Sequence, residues 1–282
     1  MSTTPNTLAV DITGPEDGPV VVLGSALGAD RHMWDEVMPQ LANYRVVRYD
    51  HPGHGLSRPL QLTEAEEITC PHTGEAGHTP HASASAHAGA LRAALDEAGI
   101  EKFHIAGLSL GGMMALWWGI NRPQDVLSVT MLSSGPVITP SDPWWEKAAH
   151  TRREGTGQIV EATLQRWFTP KYLEANGEQV RRTRRTYLEC DGAGFAQCCE
   201  VIATLDCRPG LGQLQVPVGI VSAQYDASLP FAQADELAQT IAERSGVKTI
   251  VHRVEDAAHL SAVEQPQVVG SALVELLGEF SA

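Results

Sequence analysis

The sequence predicts an α/β fold with a mostly parallel, doubly wound sheet. Short apolar runs rich in β-branched residues recur along the chain, and amphipathic stretches with a helical period lie between them. Runs that are apolar throughout are typical of strands buried on both faces, as in a parallel sheet. Their regular alternation with helices indicates a doubly wound arrangement. The 282 residues, of which 43% are hydrophobic, suffice for one large core.

The individual elements follow from these patterns. Strands are predicted at 20–23, 46–49, 103–106, 127–132, 218–221 and 249–251, and helices at 86–98, 113–121, 231–245 and 266–279. Between residues 136 and 213 the strand signal is absent, and helix-like segments follow at 144–153, 158–167, 179–188 and 194–204. We therefore expect a core formed by 1–135 and 214–282, with a helical insertion at 136–213. Residues 58–84 lack periodicity and predict a long loop.

The charge disfavours several classes of partner. Twenty Lys and Arg against 34 Asp and Glu leave a net charge of −14 at pH 7, which argues against nucleic acid and anionic membrane surfaces. The first residues lack the basic and apolar regions of a secretory signal, and no apolar run reaches the roughly 18 residues of a membrane span. We expect a soluble, cytoplasmic protein; the sequence makes no prediction of its oligomeric state. Five cysteines without a CxxC pair indicate buried thiols rather than disulfides or a zinc ribbon.

A candidate nucleophile lies at the end of the strand predicted at 103–106. There the pentapeptide 107–111, Gly-Leu-Ser-Leu-Gly, leads into a helical stretch. This is a G-x-S-x-G motif in a strand-to-helix turn, where the glycines leave room for a tight backbone and the serine is exposed at the sheet edge. The helix N-terminus behind the serine favours negative charge. The pattern predicts Ser109 as a nucleophile.

A serine nucleophile needs a base and an acid, which in this kind of fold follow in the order acid, then histidine. Asp226 stands in a turn just after the strand at 218–221, and His259 stands in the loop after the strand at 249–251. Parallel strands bring these ends to the same sheet edge as Ser109. Asp256 is a rival acid close to His259 in sequence, but the chain order favours Asp226.

An ester-cleaving site also needs two N–H donors for the oxyanion. Leu110, directly after the nucleophile, is predicted to supply one. The other is expected from the small residues 24–28 after the first predicted strand, with Ala26 as the candidate. Ser25 is either a hydrogen-bonding support or merely a small loop residue.

These residues resemble the α/β-hydrolase superfamily over essentially the whole chain. The segment 49–57, Tyr-Asp-His-Pro-Gly-His-Gly-Leu-Ser, resembles a structural turn of that superfamily. Segments 32–35, 166–170, 194–199 and 257–266 narrow the resemblance to the 3-oxoadipate enol-lactonases of the β-ketoadipate pathway of aromatic catabolism. Two departures stand out. The loop at 25–28 reads Ser-Ala-Leu-Gly where the family usually has Asn-Ser-Leu-Gly, and the loop at 58–84 is longer.

The resemblance implies a cofactor-free, metal-free serine hydrolase that opens a small anionic lactone, with the insertion at 136–213 as its helical cap. The substrate's acetate arm then needs a cation. Arginines near the predicted site are Arg31, Arg152, Arg153 and Arg166, and tryptophans near it are Trp34, Trp144, Trp145 and Trp167. Our candidate pocket residues are Ser25, Arg31, Trp34, Trp144, Arg153 and Trp167. Surface ion pairs and core packing are the competing roles of these side chains.

Other functions stay open at this stage. A broader carboxylesterase, lactonase or perhydrolase would use the same triad, since fold does not determine substrate. A small-ligand sensor on a hydrolase scaffold is a third hypothesis, which intact catalytic residues disfavour. A haloalkane dehalogenase would need Asp where Ser109 stands. The histidines at 72, 78, 81 and 87 match no standard zinc spacing, so we expect a polar loop there rather than a metal site.

Overall fold

The computed structural model describes residues 7–62 and 82–281. Within them a seven-stranded sheet runs in the order β1-β3-β2-β4-β5-β6-β7, with every neighbouring pair parallel except β1 and β3. The strands are β1 (Val10–Thr13), β2 (Val20–Gly24), β3 (Arg45–Tyr49), β4 (Phe103–Leu108), β5 (Val126–Leu132), β6 (Val218–Ala223) and β7 (Thr249–Val254). The predicted α/β fold with a mostly parallel sheet is confirmed.

Helices lie on the sheet and in the insertion. They are α1 (Ala84–Glu97), α2 (Leu110–Asn121), α3 (Asp142–Glu154), α4 (Val160–Trp167), α5 (Pro170–Ala175), α6 (Glu178–Glu189), α7 (Gly192–Thr204), α8 (Phe231–Ser245), α9 (Ser261–Glu264) and α10 (Pro266–Ser281). Short 3-10 turns occupy Arg31–Trp34, Met38–Leu41 and Arg208–Gln213. In the described residues no helix is both long and apolar enough to cross a membrane.

Three elements were not predicted from the sequence patterns: β1, α5 and the four-residue α9. β1 has only four residues and its last two are exposed, because it is the antiparallel edge strand and lacks the continuous apolar run of a central strand. α5 is a six-residue helix that begins at a proline, with the Thr169 side chain accepting from the Tyr172 N–H as its cap. Its length is below what periodicity can detect.

The central strands account for the position of the site. All six residues of β4 are buried, and β4 lies between β2 and β5. Because β2, β4, β6 and β7 are parallel, the loops that follow them meet at one edge of the sheet. The strand order reverses beside β4, and in open α/β sheets such a reversal marks the edge where ligands bind.

The helices α3–α7, called the cap below, lie between β5 and β6 in the chain and reach back over this edge. Gly194 of α7 packs so closely on Gly53 that a Cβ on either would overlap the other's backbone. Phe195 stacks on the imidazole of His54 with a centroid distance of 5.7 Å. The Gln197 side chain exchanges two hydrogen bonds of 2.8 Å with the backbone of Leu60. These contacts join the cap to the loop after β3.

Several expectations concern side chains away from this edge. Cys190, Cys198, Cys199 and Cys207 are buried free thiols, and Cys70 lies outside the described residues. Most of the loop predicted at 58–84 also lies outside them, including the histidines at 72, 78 and 81. Among the residues that the structure does describe, no group of three His, Cys, Asp or Glu side chains is arranged to hold a metal ion.

Candidate active site

Ser109 lies in a strained turn between β4 and α2. Its backbone has φ 57° and ψ −115°, in the left-handed half of conformational space that side chains rarely occupy. The surrounding glycines make the turn possible, since a Cβ on Gly107 would overlap the Gly111 backbone and one on Gly111 would overlap the Gly24 carbonyl. The Ser109 N–H donates to Leu132 O at 2.9 Å, and the Ser134 hydroxyl donates to Ser109 O at 2.7 Å. The surrounding backbone therefore holds the half-buried Ser109 in its strained conformation.

His259 and Asp226 form a buried pair in the loops after β7 and β6. His259 Nδ1 lies 2.9 Å from Asp226 Oδ1, and the two residues are 8% and 3% exposed. The Ser228 N–H also donates to Asp226 Oδ1, at 3.0 Å. Because the carboxylate holds the proton on Nδ1, the other ring nitrogen, Nε2, is the basic one. Burial alone would raise the pKa of Asp226, but the charge and hydrogen bond of His259 outweigh it and hold that pKa below 3.8.

The rival acid Asp256 lies elsewhere in the same loop. It is exposed, in a tight turn with φ 53°, and its N–H donates to the Gln224 side chain at 2.9 Å. Within the described part of the chain its carboxylate forms no ion pair with His259. The geometry therefore favours Asp226, which the chain order also selects.

A buried glutamate that the sequence patterns did not single out fixes the histidine loop to the cap. Glu264 accepts from the Thr169 N–H at 3.0 Å and from the Thr169 hydroxyl at 2.7 Å through Oε1. Its Oε2 accepts from the Ala258 N–H at 2.7 Å. The Leu260 N–H donates to Trp167 O at 2.9 Å. Both neighbours of His259 are thus fixed to the helical insertion.

The loop 24–28, called the oxyanion loop below, brings small residues against the strand-to-helix turn at Ser109, which is called the elbow below. The Gly111 N–H donates to Ser25 O at 3.1 Å, which ties α2 to this loop. The Leu110 N–H has no hydrogen-bond acceptor among the described residues. The Ala26 N–H faces only the thioether sulfur of Met33, at 3.4 Å. A thioether is a weak acceptor, so both N–H groups can donate to an incoming oxygen at little cost.

His51, His54 and His87, called the histidine cluster below, are fully buried against this loop. His51 Nε2 donates to Ser25 O at 2.7 Å, so its Nδ1 accepts from His87 Nε2 at 2.8 Å. His54 Nδ1 donates to Pro52 O, and its Nε2 accepts from the Gly28 N–H at 2.7 Å. The oxyanion loop is therefore held on both sides of Ala26 by uncharged imidazoles.

The histidine cluster is uncharged because burial makes protonation costly. Desolvation lowers the pKa of His54 to about 4 and that of His87 to about 3. It lowers the pKa of His51 well below 6.5, and the neighbouring His87 and His54 add to this effect. The segment 49–57 thus supports the oxyanion loop through these contacts.

Three of the candidate pocket residues have structural roles instead. The Ser25 side chain is fully buried, and its hydroxyl donates to Asp30 O at 3.0 Å. Arg31 forms an ion pair with Asp50, whose side chain is fully buried, and its own N–H donates to that carboxylate at 2.8 Å. Trp34 is fully buried in the core. Their positions beside the oxyanion loop made them candidates, but each side chain turns into the protein.

Two tryptophans and two arginines of the cap differ in burial and in pairing. Trp167 is 6% exposed and its ring approaches Gly28, to within 3.3 Å of where a Cβ would lie there. Trp144 is half-buried on α3. Arg152 pairs at 2.6 Å with Glu200, whose side chain is fully buried. Arg153 is exposed and forms no ion pair in the described residues.

Comparison with known proteins agrees with this architecture. Residues 19–266 match the family model described as alpha/beta hydrolase fold. The chain is 31% identical over 262 residues to 3-oxoadipate enol-lactonase 1 of Acinetobacter baylyi, covering 93% of this chain and 89% of the relative. The structure of the enol-lactonase from Burkholderia xenovorans LB400 superimposes with a TM-score of 0.81 at 27% identity, covering 96% of each chain.

A further relative has a different printed role. Karrikin insensitive 2 receptor IA of Petunia hybrida is 26% identical over 254 residues, covering 88% of this chain and 86% of that protein. Relatives of this fold thus include a protein named as a receptor as well as named lactonases. The family match spans most of the chain, and the similarity to enol-lactonases expected from the sequence is confirmed. The chain belongs to the α/β-hydrolase family.

Proposed function

We propose that this protein is a cofactor-free serine hydrolase that opens 3-oxoadipate enol-lactone to 3-oxoadipate through an acyl-enzyme. The observation that carries the proposal is the buried pair of His259 and Asp226 in the loops after β7 and β6, on the sheet edge that presents Ser109 in a strained elbow. The named enol-lactonases among its relatives support the choice of substrate. In this proposal residues 136–213 form the cap over a core of 1–135 and 214–282, and the enzyme acts in cytoplasmic aromatic catabolism.

The proposed reaction begins with transfer of the Ser109 hydroxyl proton to His259 Nε2 as the oxygen attacks the ring carbonyl. The N–H groups of Ala26 and Leu110 hold the resulting oxyanion, with the Ala26 N–H exchanging the Met33 sulfur for oxygen. Asp226 orients the imidazole and stabilises its charged form.

Collapse of this intermediate breaks the ring C–O bond. The leaving enol oxygen takes the proton from His259, and the enol then tautomerises to the ketone. His259 next removes a proton from water, which attacks the acyl-enzyme carbonyl. The C–O bond to Ser109 breaks, the serine recovers its proton, and 3-oxoadipate leaves.

The decisive assay follows the ultraviolet absorbance of freshly generated 3-oxoadipate enol-lactone, beside hydrolysis of p-nitrophenyl acetate. We expect the lactone to be turned over with a much higher kcat/KM than the ester. Comparable values for both substrates would instead indicate the broader esterase, lactonase or perhydrolase. The Ser109→Ala variant should lose both activities while remaining folded, because this hydroxyl contributes little to packing.

The receptor-named relative favours one second candidate, a ligand sensor without turnover. A serine-directed phosphonate separates the two, since an activated Ser109 reacts with it and an idle one does not. Ser128→Ala is the matched control, because Ser128 is a buried serine of β5 that pairs with His104 at 2.7 Å. We expect labelling of the parent chain and of Ser128→Ala, and none of Ser109→Ala. An unlabelled parent chain would contradict the enzyme proposal.

A further inference from the structure

Three hydrogen-bond donors converge on the buried carboxylate of Glu264. The Thr169 N–H and hydroxyl donate to Oε1 at 3.0 Å and 2.7 Å, and the Ala258 N–H donates to Oε2 at 2.7 Å. The one-turn helix α9 makes this arrangement possible, because it brings Glu264 back beside a residue six positions earlier. Within the described residues no cation forms an ion pair with this carboxylate. Its two oxygens therefore serve as acceptors, each for a different segment of the chain.

The two segments are the cap and the loop that carries the base. Thr169 is the N-cap of α5, and Ala258 directly precedes His259 in the loop after β7. On the other side of His259, the Leu260 N–H donates to Trp167 O at 2.9 Å. The residue before the base is thus bonded to a carboxylate that the cap holds, and the residue after it is bonded to the cap directly.

The start of the same loop is held by the core instead. The Tyr225 N–H, in the turn after β6, donates to Ala257 O at 2.9 Å. Farther along the loop the cap takes over again, since the Tyr172 hydroxyl of α5 donates to Val263 O at 3.2 Å. Among the described residues, the hydrogen bonds of this loop to other segments therefore change from core to cap directly before His259.

We propose that Glu264 is a positioning residue for His259, through which the cap determines where the Nε2 of the base lies relative to Ser109. The inference rests on the proposed function, in which His259 is the base. The hydrogen bond to Asp226 fixes only Nδ1, so the direction of Nε2 also depends on where the backbone of His259 lies. The cap fixes that backbone through the Glu264 carboxylate. Proton transfer from Ser109 depends on this direction, because a base must lie within hydrogen-bond reach of the proton that it removes.

The first test replaces the carboxylate by an amide of the same shape. In Glu264→Gln the NH2 group must face the N–H of either Thr169 or Ala258, so two donors meet without an acceptor in either orientation. We expect kcat for the enol-lactone to fall about tenfold to a hundredfold, as for a catalytic group displaced by up to about 1 Å, with little change in KM. Thr169→Val removes the hydroxyl contact but keeps the N–H, and it should lower kcat by a smaller factor. An unchanged kcat in folded Glu264→Gln would overturn the proposal.

Glu200→Gln is the matched control. Glu200 is a buried glutamate of α7 that pairs with Arg152 at 2.6 Å and accepts from the Ala82 N–H at 2.9 Å. Its replacement also disturbs a buried carboxylate that joins α7 to other segments, but these partners lie outside the loop of His259. We expect a lower thermal midpoint in both variants and an unchanged kcat in Glu200→Gln. Equal losses of kcat in the two variants would show a general effect of cap stability and would refute the positioning role.

The second test does not depend on the lactone being the substrate. A serine-directed phosphonate reacts with Ser109 only as fast as the base activates it, so the rate of labelling reports the position of His259. We expect Glu264→Gln to be labelled about tenfold more slowly than the parent, and Glu200→Gln to match the parent. If the parent is labelled but ignores the lactone, the proposed substrate fails while this pattern still supports the positioning role. Equal labelling rates in the parent and Glu264→Gln would refute that role, and an unlabelled parent would refute it together with the enzyme proposal.

Discussion

Replacing Gly28 by alanine should lower both the rate of catalysis and the stability of the fold. Gly28 ends the oxyanion loop with φ +90°, a conformation that costs a non-glycine residue about 1–3 kcal/mol. The new Cβ would also lie 2.4 Å from two ring carbons of Tyr187, against an ordinary separation of about 3.5 Å. Tyr187 is 1% exposed and packs edge-on against Trp167 and Phe195, so its ring cannot retreat. The loop itself must therefore shift by about 1 Å.

A shift of that size reaches Ala26, two residues away, whose N–H is the proposed oxyanion donor. Displacement of a catalytic group by about 1 Å, or loss of one oxyanion donor, costs on the order of 10²-fold in rate. We expect kcat of Gly28→Ala to fall about 10²-fold with little change in KM. Overpacking adds about 1–3 kcal/mol to the conformational cost, so the thermal midpoint should fall as well. Steady-state kinetics and thermal denaturation measure the two effects separately.

Gly99→Ala is the matched control. Gly99 has φ +66°, so it carries a similar conformational cost, but a Cβ there would have nothing within 4 Å. It precedes β4, at the opposite edge of the sheet from Ser109. We expect a lower thermal midpoint and an unchanged kcat. Equal losses of kcat in both variants would show that stability, not loop position, limits activity. An unchanged kcat in folded Gly28→Ala would refute the assignment of the oxyanion loop.

Three further predictions concern the surroundings of the site. Because burial lowers the pKa of the histidine cluster below 6.5, the unfolded chain binds more protons there; the free energy of unfolding should fall between pH 6.5 and 4, by up to about 1.4 kcal/mol per pH unit for each histidine. Urea midpoints that stay constant from pH 7 to 5 would contradict this. Ser134→Ala removes the 2.7 Å hydrogen bond to the Ser109 carbonyl. We expect kcat to fall about tenfold and the free energy of unfolding, measured by denaturant titration, to fall by about 1 kcal/mol. An unchanged kcat would argue that Ser134 does not support the turn at Ser109. The four described cysteines are buried, and burial raises their thiol pKa values. In a Cys70→Ser variant we therefore expect a thiol reagent to modify them only when the protein unfolds. Rapid reaction of the folded protein would disprove their burial.

Much of the candidate site could be predicted because it depends on local pattern and chain order. A glycine-flanked serine between a strand and a helix marks an elbow wherever it occurs. Asp226 and His259 follow parallel strands, and parallel strands deliver their ends to one edge whatever the details of packing. The same reasoning predicts the order of the central elements. β1, α5 and α9 were missed because an edge strand and helices of six and four residues carry too little pattern to detect.

The sequence by itself therefore determined the fold class, the order of the candidate triad and the loops that bear it, since each is written in contiguous residues. Only the tertiary structure decided which of the candidate cations form ion pairs and which do not. Arg31 is paired because the fold buries Asp50 against it, and Arg152 is paired because α7 brings the buried Glu200 against α3. Such pairings depend on contacts between segments that are distant in sequence. Their electrostatic effect depends on how deeply the fold buries the charges, not on residue type alone.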